Sequence, residues 1–402
     1  MSTQHLSLPA PPISPTRLIA VLCVSLSLAY LVILGSAVLS GQWLIDPQGR
    51  PIASDFVNVW AAGRLAADGH PALAYDWIVH KSMEVRAVGH AFDNYYGWHY
   101  LPTFLFAASA VATVPILPAM ALWLTATFAA YLAAVRAIIG ERVGYLVAVG
   151  FPATLWNVIA GQNGFLTAAL IGGTLTLLER MPVAAGICLG LLSYKPHFGL
   201  LFPVALIGGR HWRATIAAVA TAVVMIAASW LAFGTGTWLA FFAATPKMTQ
   251  AVLGDGLADF ARLQSLFGLV RAHGGNEIFA WVVQAIGSLA SAAAIFFVWR
   301  SRAPFALKAA ALACAALIAT PYLYIYDLVV LAIPVAYLLR LGVAQGITRA
   351  EVIGLPVVTA LLLSYPYLKT QVGLAAVLVV AALIALRMNF TTRQPNEMQG
   401  AG

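Results

Sequence analysis

A carboxylate at the start of a helical pattern is the first candidate in this sequence for proton-transfer chemistry. Asp55 precedes a stretch of periodic apolar residues, which predicts a helix lying in a membrane interface. One face of that helix carries Phe56, Val59, Trp60 and Gly63. In one interpretation, Ser54 or Asp55 only caps the helix. In the other, the Asp55 carboxylate is fixed at the membrane surface and takes a proton from a hydroxyl group.

Two basic side chains flank a proline between short apolar runs, where they can bind an anion. Lys195 and His197 lie on either side of Pro196, and an ionisable residue at membrane depth marks a functional site by default. A cation at this place suits a lipid-borne phosphate. The alternative is that Lys195 extends to the lipid head groups. The shortness of the neighbouring apolar runs favours the functional interpretation.

Polar and aromatic residues at other breaks between apolar runs can contact a sugar. Gln162 and Asn163 either hydrogen-bond sugar hydroxyls or cap the tip of a helical hairpin. An aromatic run ends the first polar segment with Tyr95, Tyr96, Trp98 and Tyr100. For most of these rings the favoured interpretation is an interfacial aromatic belt. Aromatic faces also suit sugar rings, so Tyr100 is counted with the residues that bind a sugar or its acceptor.

A last polar group lies at the start of a late apolar run. Tyr326 and Asp327 follow Thr320-Pro321-Tyr322, and a carboxylate there is costly unless it is hydrated or paired. Asp327 either pairs with Lys195 or helps Tyr326 to build a sugar or acceptor site. Both possibilities stay open at this point.

Composition decides which solvent must surround these groups. Of 402 residues, 61% are hydrophobic and 9% charged, and the mean hydropathy is +0.87. Soluble proteins carry about 25% charged residues, so this chain belongs in lipid, where long apolar runs cross as helices. The net charge of +8 is spread between the runs and does not form a nucleic-acid footprint. No metal-ligand spacing, P-loop or nucleotide-binding glycine turn occurs, and we expect no metal or other cofactor.

The apolar runs predict an all-α polytopic membrane protein whose residues 1–402 form a single integral domain. With a cytoplasmic N-terminus, Leu18–Leu39 is a retained first span, 102–113 a re-entrant helix and 117–138 a full span. Ten later runs bring the total to about twelve crossings. In this topology the basic residues of the short loops lie on the cytoplasmic side, as the positive-inside rule requires. Most carboxylates then lie on the outer face. Two long segments also lie there: 41–100, with interfacial helices, and 235–275, a solvated loop.

Three of the predicted crossings are too short for a bilayer. Residues 164–178, 182–194 and 197–208 fall below the about 20 residues that a hydrocarbon core of roughly 30 Å requires. Their outer ends carry the Gln162 and Lys195 motifs and should lie below the membrane surface. Polar, irregular backbone at that depth is tolerated where it lines a cavity. The sequence therefore predicts an outward-facing hollow with a polar floor.

These motifs, taken in order, resemble glycosyltransferase family 87, which includes polyprenol-phosphate-mannose-dependent α-1,2-mannosyltransferases. The resemblance covers most of residues 50–340. The motifs are Asp55-Phe56, Trp60-Ala61-Ala62-Gly63-Arg64, Gly69-His70-Pro71, Tyr75-Asp76, Tyr100-Leu101-Pro102-Thr103-Phe104, Gly161-Gln162-Asn163-Gly164, Lys195-Pro196-His197 and Thr320-Pro321-Tyr322.

The resemblance implies the C-type glycosyltransferase bundle, with Asp55 as the catalytic base. It also implies a polyprenyl-phosphate sugar as donor, a lipid or glycan as acceptor, and a bacterial cytoplasmic (inner) membrane with the site facing the periplasm or exterior. Lys195 and His197 would hold the donor phosphate. At Tyr326-Asp327 the chain departs from the histidine that the characterised mannosyltransferase branch carries there.

Two other function classes are compatible with a polar hollow in a membrane. A transporter or lipid flippase also uses buried charges, but it needs an alternating route with polar groups on the inner side. Here the polar groups cluster on one face, which favours an enzyme. A structural membrane subunit is disfavoured by the short, broken spans.

Overall fold

The computed structural model describes residues 15–41, 54–92, 97–257, 259–368 and 370–399. For residues 15, 54 and 391–399 it describes the backbone only. Every regular element in these ranges is a helix. The α-helices are α1 (Pro15–Leu39), α2 (Ser54–Ala67), α3 (Trp77–Val88), α4 (Leu105–Val111), α5 (Ile116–Ile139), α6 (Val143–Gly150), α7 (Pro152–Ala160), α8 (Gly164–Leu177), α9 (Pro182–Leu191), α10 (Pro196–Gly199), α11 (Phe202–Gly208), α12 (Trp212–Thr249), α13 (Leu266–Ala272), α14 (Glu277–Arg300), α15 (Phe305–Ile318), α16 (Ala332–Gln345), α17 (Arg349–Leu363) and α18 (Val372–Gln399).

Shorter turns of helix connect several of these elements. Five are 3₁₀ turns, at Pro71–Tyr75, Pro102–Phe104, Leu192–Tyr194, Phe260–Arg262 and Ile325–Leu331. A π turn, Gln250–Gly254, follows α12.

Six helical segments are long and apolar enough to cross a membrane, and the number is seven if the bent pair α6–α7, at 56°, counts as one span. The prediction of a polytopic helical membrane protein is therefore confirmed, whereas the count of twelve crossings is not established. The expected short helices are present as Gly164–Leu177, Pro182–Tyr194 and Pro196–Gly208. The break at Pro115 is also present, because α4 ends at Val111 and α5 begins at Ile116.

The helices differ sharply in how far they are buried, which shows what each one faces. The apolar window of Ile325–Gln345 is 83% buried, whereas those of α1, α12 and α14 are only 6%, 11% and 11% buried. A helix that is apolar and buried on all sides forms a core. Ile325–Gln345 is therefore the central element, packed against α5, α8 and α15, and the exposed helices present their apolar sides to lipid.

The apolar face of α2, from which an interfacial helix was predicted, is covered by protein. Phe56 and Val59 of α2 are 0% and 1% exposed, because the short helix α4 packs against α2. The Trp60 indole N–H donates to the Val114 carbonyl at 2.9 Å. The apolar face that predicted contact with lipid therefore meets protein instead, and that expectation is corrected.

The segment predicted as a solvated loop, 235–275, is largely helical. A backbone kink at Gly234 (φ 78°, ψ 164°) divides α12, and a positive φ of this kind is tolerated best by glycine. The half after the kink packs against Pro71–Tyr75, where the Tyr75 and Phe241 rings lie 5.7 Å apart. The two long polar segments of the chain therefore cover each other.

Gly63 allows the closest contact between α2 and α4, and this contact can be tested. A Cβ at position 63 would collide with the Ala108 backbone carbonyl. Gly63→Ala is therefore expected to lower the free energy of unfolding by about 1–3 kcal/mol, measured by thermal unfolding in detergent. Gly35→Ala on α1 is the matched control because its Cβ would meet nothing within 4 Å. Equal stability of the two variants would contradict this account of the contact.

Candidate active site

Asp55 lies at the first turn of α2, beside residues that come from distant parts of the chain. The Gln162 side chain hydrogen-bonds the Asp55 carboxyl, and the charges of Lys195, Asp327 and Arg262 act on it. Burial raises the pKa of Asp55 to about 7, with Asp327 adding to the rise while Lys195, Gln162 and Arg262 oppose it. Asp55 nevertheless remains partly exposed. A carboxyl group with a pKa near 7 that a ligand can reach is suited to general-base catalysis.

A buried ion pair joins Lys195 of the basic motif to Asp327 of the acidic motif. Lys195 Nζ lies 2.7 Å from Asp327 Oδ1, with side chains 7% and 2% exposed. The other carboxylate oxygen, Asp327 Oδ2, accepts from the Tyr324 backbone N–H at 3.3 Å. Of the two possibilities for Asp327, pairing with Lys195 is the one that the structure shows. The pair also lies close enough to Asp55 for its charges to act there, so pairing does not remove it from the site.

The polar turn between α7 and α8 is built by its own side chains. Gly161 ends α7 with φ 65°, and Asn157 then binds across the turn, donating to the Gln162 carbonyl at 3.1 Å and accepting from the Gly164 N–H at 2.9 Å. Gln162 Oε1 accepts from the Asn163 N–H at 2.7 Å and from the Tyr100 hydroxyl at 3.1 Å. Because Oε1 accepts both of these bonds, the Gln162 amide nitrogen is the atom that donates to the Asp55 carboxyl. The side chains of this turn can therefore cap the helical hairpin and also belong to a binding site, so the two interpretations are compatible.

Aromatic rings surround this polar centre, which comprises Asp55, Tyr100, Gln162, Lys195 and Asp327. Phe104 stacks on Tyr194 at 4.6 Å and on Trp98 at 5.8 Å. Tyr324 and Tyr326 stack at 5.3 Å, and Lys195 Nζ lies 5.8 Å from the Tyr326 ring.

The expectation of an interfacial aromatic belt is wrong for Trp98. This side chain is 0% exposed, because it packs inward against Tyr100 and Phe104. Tyr95 and Tyr96 lie outside the described residues. Tyr100, counted with the sugar-binding residues, is partly exposed and lies next to the Asp55 charge.

His197 and Asn163 occupy different positions around the centre. Asn163 is fully buried next to Tyr100, and its proposed contact with a sugar stays a prediction. The His197 ring packs 6.0 Å from Tyr322, and Tyr322 in turn bonds Thr249 at the end of α12 at 3.2 Å. His197 therefore connects the centre to the second polar segment.

Arg262 lies near the site, although the sequence predicts a solvated loop for its segment, 235–275. It is exposed, lies in the turn Phe260–Arg262, and its charge acts on Asp55 and Tyr324. Its guanidinium forms no ion pair with the described residues. In sequence it is separated from Asp55 by about half the chain, so only the packing of the second polar segment brings it here. Within the described ranges, no three His, Cys, Asp or Glu side chains are grouped so that they could hold a metal ion.

The buried ion pair predicts a specific pattern of stabilities. Lys195→Met leaves a buried carboxylate unpaired and is expected to cost about 3–5 kcal/mol, much of which the double variant with Asp327→Leu should restore. Thermal unfolding of the two single variants and the double variant measures this coupling. The exposed pair Arg64–Asp68, 43% and 39% exposed, is the control, and Arg64→Ala should change stability by about 0.5 kcal/mol or less. Additive losses at positions 195 and 327 would contradict the pairing.

Comparison with known proteins identifies the family. The model of glycosyltransferase family 87 matches residues 98–321, which is more than half of the chain. Neither curated proteins nor solved structures give a match. The matched range includes Tyr100, Gln162 and Lys195, whereas Asp55 precedes it and Asp327 follows it. The predicted family is confirmed: the chain belongs to glycosyltransferase family 87 and is a membrane glycosyltransferase.

Proposed function

We propose that this enzyme transfers a hexose, mannose by its family resemblance, from a polyprenyl-phosphate donor to a hydroxyl of a lipid or glycan acceptor. The transfer takes place on the outer face of a bacterial cytoplasmic membrane and inverts the anomeric carbon. The observation that carries the proposal is the Asp55 carboxyl, whose pKa is raised to about 7 beside a buried cation. A base and a phosphate-binding charge in one place are what such a transfer requires.

Asp55 acts as the general base. Its ionised form, which predominates above about pH 7, accepts the proton of the acceptor hydroxyl as the oxygen attacks the anomeric carbon. The Gln162 amide orients the carboxylate by donating to it, and Tyr100 and Asn163 fix Gln162 by donating to its Oε1. Attack from the side opposite the leaving group inverts the configuration.

The departing polyprenyl phosphate needs charge stabilisation more than a proton, since a phosphate ester is a weak base. Lys195 has three N–H donors, of which Asp327 takes one, so two remain to face a phosphate. Arg262 supplies a second positive charge from the exposed side. His197, beside Tyr322, assists at the same phosphate.

The sugar itself would lie among the partly exposed rings of Tyr100 and Tyr326. Aromatic faces pack against the C–H faces of a sugar ring, while the Gln162 side chain hydrogen-bonds its hydroxyls and the Asp327 carboxylate accepts hydrogen bonds from them. A lipid-linked donor fits an enzyme that is embedded in the membrane and faces outward. The outward orientation is supported by the basic residues of the short loops, which favour the opposite face.

The first test of the proposal is the loss of the base. Asp55→Asn is expected to lower transfer of label from radiolabelled polyprenyl-phosphate sugars to a lipid and glycan extract by about 10²- to 10⁴-fold. In the wild type, the transfer rate should rise as pH increases through about 7, because the carboxyl loses its proton there. Asp68→Asn, an exposed carboxylate of the same segment, should retain the wild-type rate.

Three results would argue against this assignment. Equal transfer by wild type and a folded Asp55→Asn variant would exclude Asp55 as the base and leave Asp327 as the next carboxylate to test. A flat pH profile between 6 and 8 would contradict the raised pKa. Absence of transfer from every polyprenyl-phosphate sugar, with complete acceptor extracts, would contradict the donor class and make transport the next activity to assay.

Arg262 gives a prediction that separates donor binding from the chemical step. Arg262→Ala is expected to raise the KM for the donor roughly fivefold, the effect of losing an exposed ion pair, with a smaller change in kcat. Steady-state kinetics at varied donor concentration measure both. Arg86→Ala, an exposed arginine of α3, is the matched control and should leave KM unchanged. An effect confined to kcat would contradict the role in donor binding.

A further inference from the structure

A cavity lies between the two polar segments. Its volume is about 540 Å³, and it is enclosed by Pro71–Tyr75 and α3 on one side and by residues 240–248 of α12 on the other. Ligand sites commonly have volumes of about 300–1,000 Å³. The charged and ionisable side chains that line the cavity are Asp76, His80, Lys81, Glu84 and Lys247. None of these has a role in the transfer reaction proposed above.

The inner end of the cavity holds polar atoms that lack hydrogen bonds. His80 and Glu84 are 3% and 1% exposed, and His80 Nε2 lies 3.4 Å from Glu84 Oε1. His80 Nδ1 has no hydrogen-bond partner in the described part of the chain, and His80 Nε2 and Glu84 Oε1 have none apart from their contact with each other. A buried polar group without a partner is costly. The inner end is therefore prepared for a ligand with hydroxyl or other hydrogen-bonding groups.

The cavity is lined by two lysines and two carboxylates, and one of the lysines has no carboxylate partner. Lys81 Nζ lies 3.8 Å from Glu84 Oε2 and 3.3 Å from the centre of the Phe92 ring. The exposed Asp76 carboxylate accepts from the backbone N–H groups of Ile78 and Val79 at 3.0 Å. Lys247 is exposed and forms no ion pair with a described carboxylate, so an anionic group can pair with its ammonium.

Exposed apolar side chains surround the mouth. Trp77 and Ile78, which line the cavity, are 46% and 80% exposed, and Leu73 is 37% exposed. On α12, Leu239 and Phe242 are 63% and 60% exposed, although they do not line the cavity themselves. Apolar side chains of this size suit contact with acyl chains better than contact with water. The cavity therefore combines apolar surface, the unpaired Lys247 and buried polar atoms without partners.

We propose that this cavity binds the phosphate-containing, hydroxylated head group of a membrane lipid. The phosphate lies at Lys247 and Lys81, the head-group hydroxyls reach His80 and Glu84, and the acyl chains follow the apolar rim. The cavity is next to the polar centre without being part of it. Tyr75 lines the cavity and donates from its hydroxyl to the Tyr100 carbonyl at 2.9 Å, so a bound lipid supports the wall that carries Tyr100. The proposal does not depend on the sugar-transfer reaction.

Short-chain lipids test this proposal with the full-length protein in detergent. Isothermal titration with dihexanoyl phosphatidylglycerol should give one saturable site. Dihexanoyl phosphatidylcholine, which has the same chains but no net charge and no head-group hydroxyl, should bind more weakly, and so should inorganic phosphate. Phosphate binding as tight as that of phosphatidylglycerol would overturn the lipid assignment, and equal binding of the two lipids would overturn the head-group assignment.

Variants locate the binding in the cavity. Lys247→Ala is expected to weaken phosphatidylglycerol binding about tenfold, as for loss of a charge-assisted hydrogen bond, whereas Arg86→Ala removes an equal charge outside the cavity and should have no effect. Ala244→Trp fills the cavity and should abolish binding, with a thermal unfolding curve to show that the protein is folded. Unchanged binding by Lys247→Ala and Ala244→Trp would overturn the proposal. Asp55→Asn should bind the lipid normally, so the outcome is independent of the catalytic test.

Discussion

The ion pair between Lys195 and Asp327 is the interaction on which the rest of the site depends. It joins two breaks in apolar helices that lie 132 residues apart in the sequence, and it satisfies two charges that would otherwise be very costly at membrane depth. Because the pair is buried, each partner fixes the other. The Tyr324–Asp327 turn and the Leu192–Lys195 turn are held at one point, and the carboxylate of Asp55 is drawn into the same electrostatic environment.

A membrane imposes a second constraint, which explains why the site consists of helix ends. Backbone N–H and C=O groups have no partners in lipid, so each break in a helix must be surrounded by protein. The Asn157, Gln162 and Gly164 turn satisfies its own backbone groups, and a Cβ at Gly164 would collide with Asn157 and Tyr326. The short helices α8, α9 and α10 thus place polar turns at the protein interior, where a reaction can be kept away from lipid.

The two polar segments have a shared role around this centre. The first carries Asp55 and Tyr100, and the second carries Arg262 and, through Thr249, contacts Tyr322. Between them they enclose both the polar centre and a separate cavity with its own charges. For the proposed transfer from a lipid-linked donor, this arrangement would bring the proposed base, the cations and the proposed lipid contacts together around the two segments.

The family, the helical membrane class and the positions of the chain breaks could all be predicted from the sequence, because each rests on local chemistry. Apolar runs form helices in lipid wherever they occur, and prolines at 115 and 196 interrupt them whatever surrounds them. Asp55, Gln162 and Lys195 were recognisable as polar groups at such breaks. The number of membrane crossings was not predictable in the same way. Whether a short helix such as α8 or α15 crosses the membrane depends on which other elements cover its ends.

Tertiary structure alone decided which of these groups meet. From the sequence, Asp327 could either pair with Lys195 or help to build the site, and packing brings it into contact with Lys195. The sequence placed Trp98 in a belt, but neighbouring rings draw it into the interior, and the apolar face of α2 meets α4 instead of lipid. Arg262 gave no signal in sequence, and the cavity beside the local His80–Glu84 pair exists only because residues 240–248 pack there. The local sequence pattern determines where a helix breaks. Which of these breaks share a site is determined only by long-range packing, because a contact between residues more than a hundred positions apart produces no periodic pattern in the sequence.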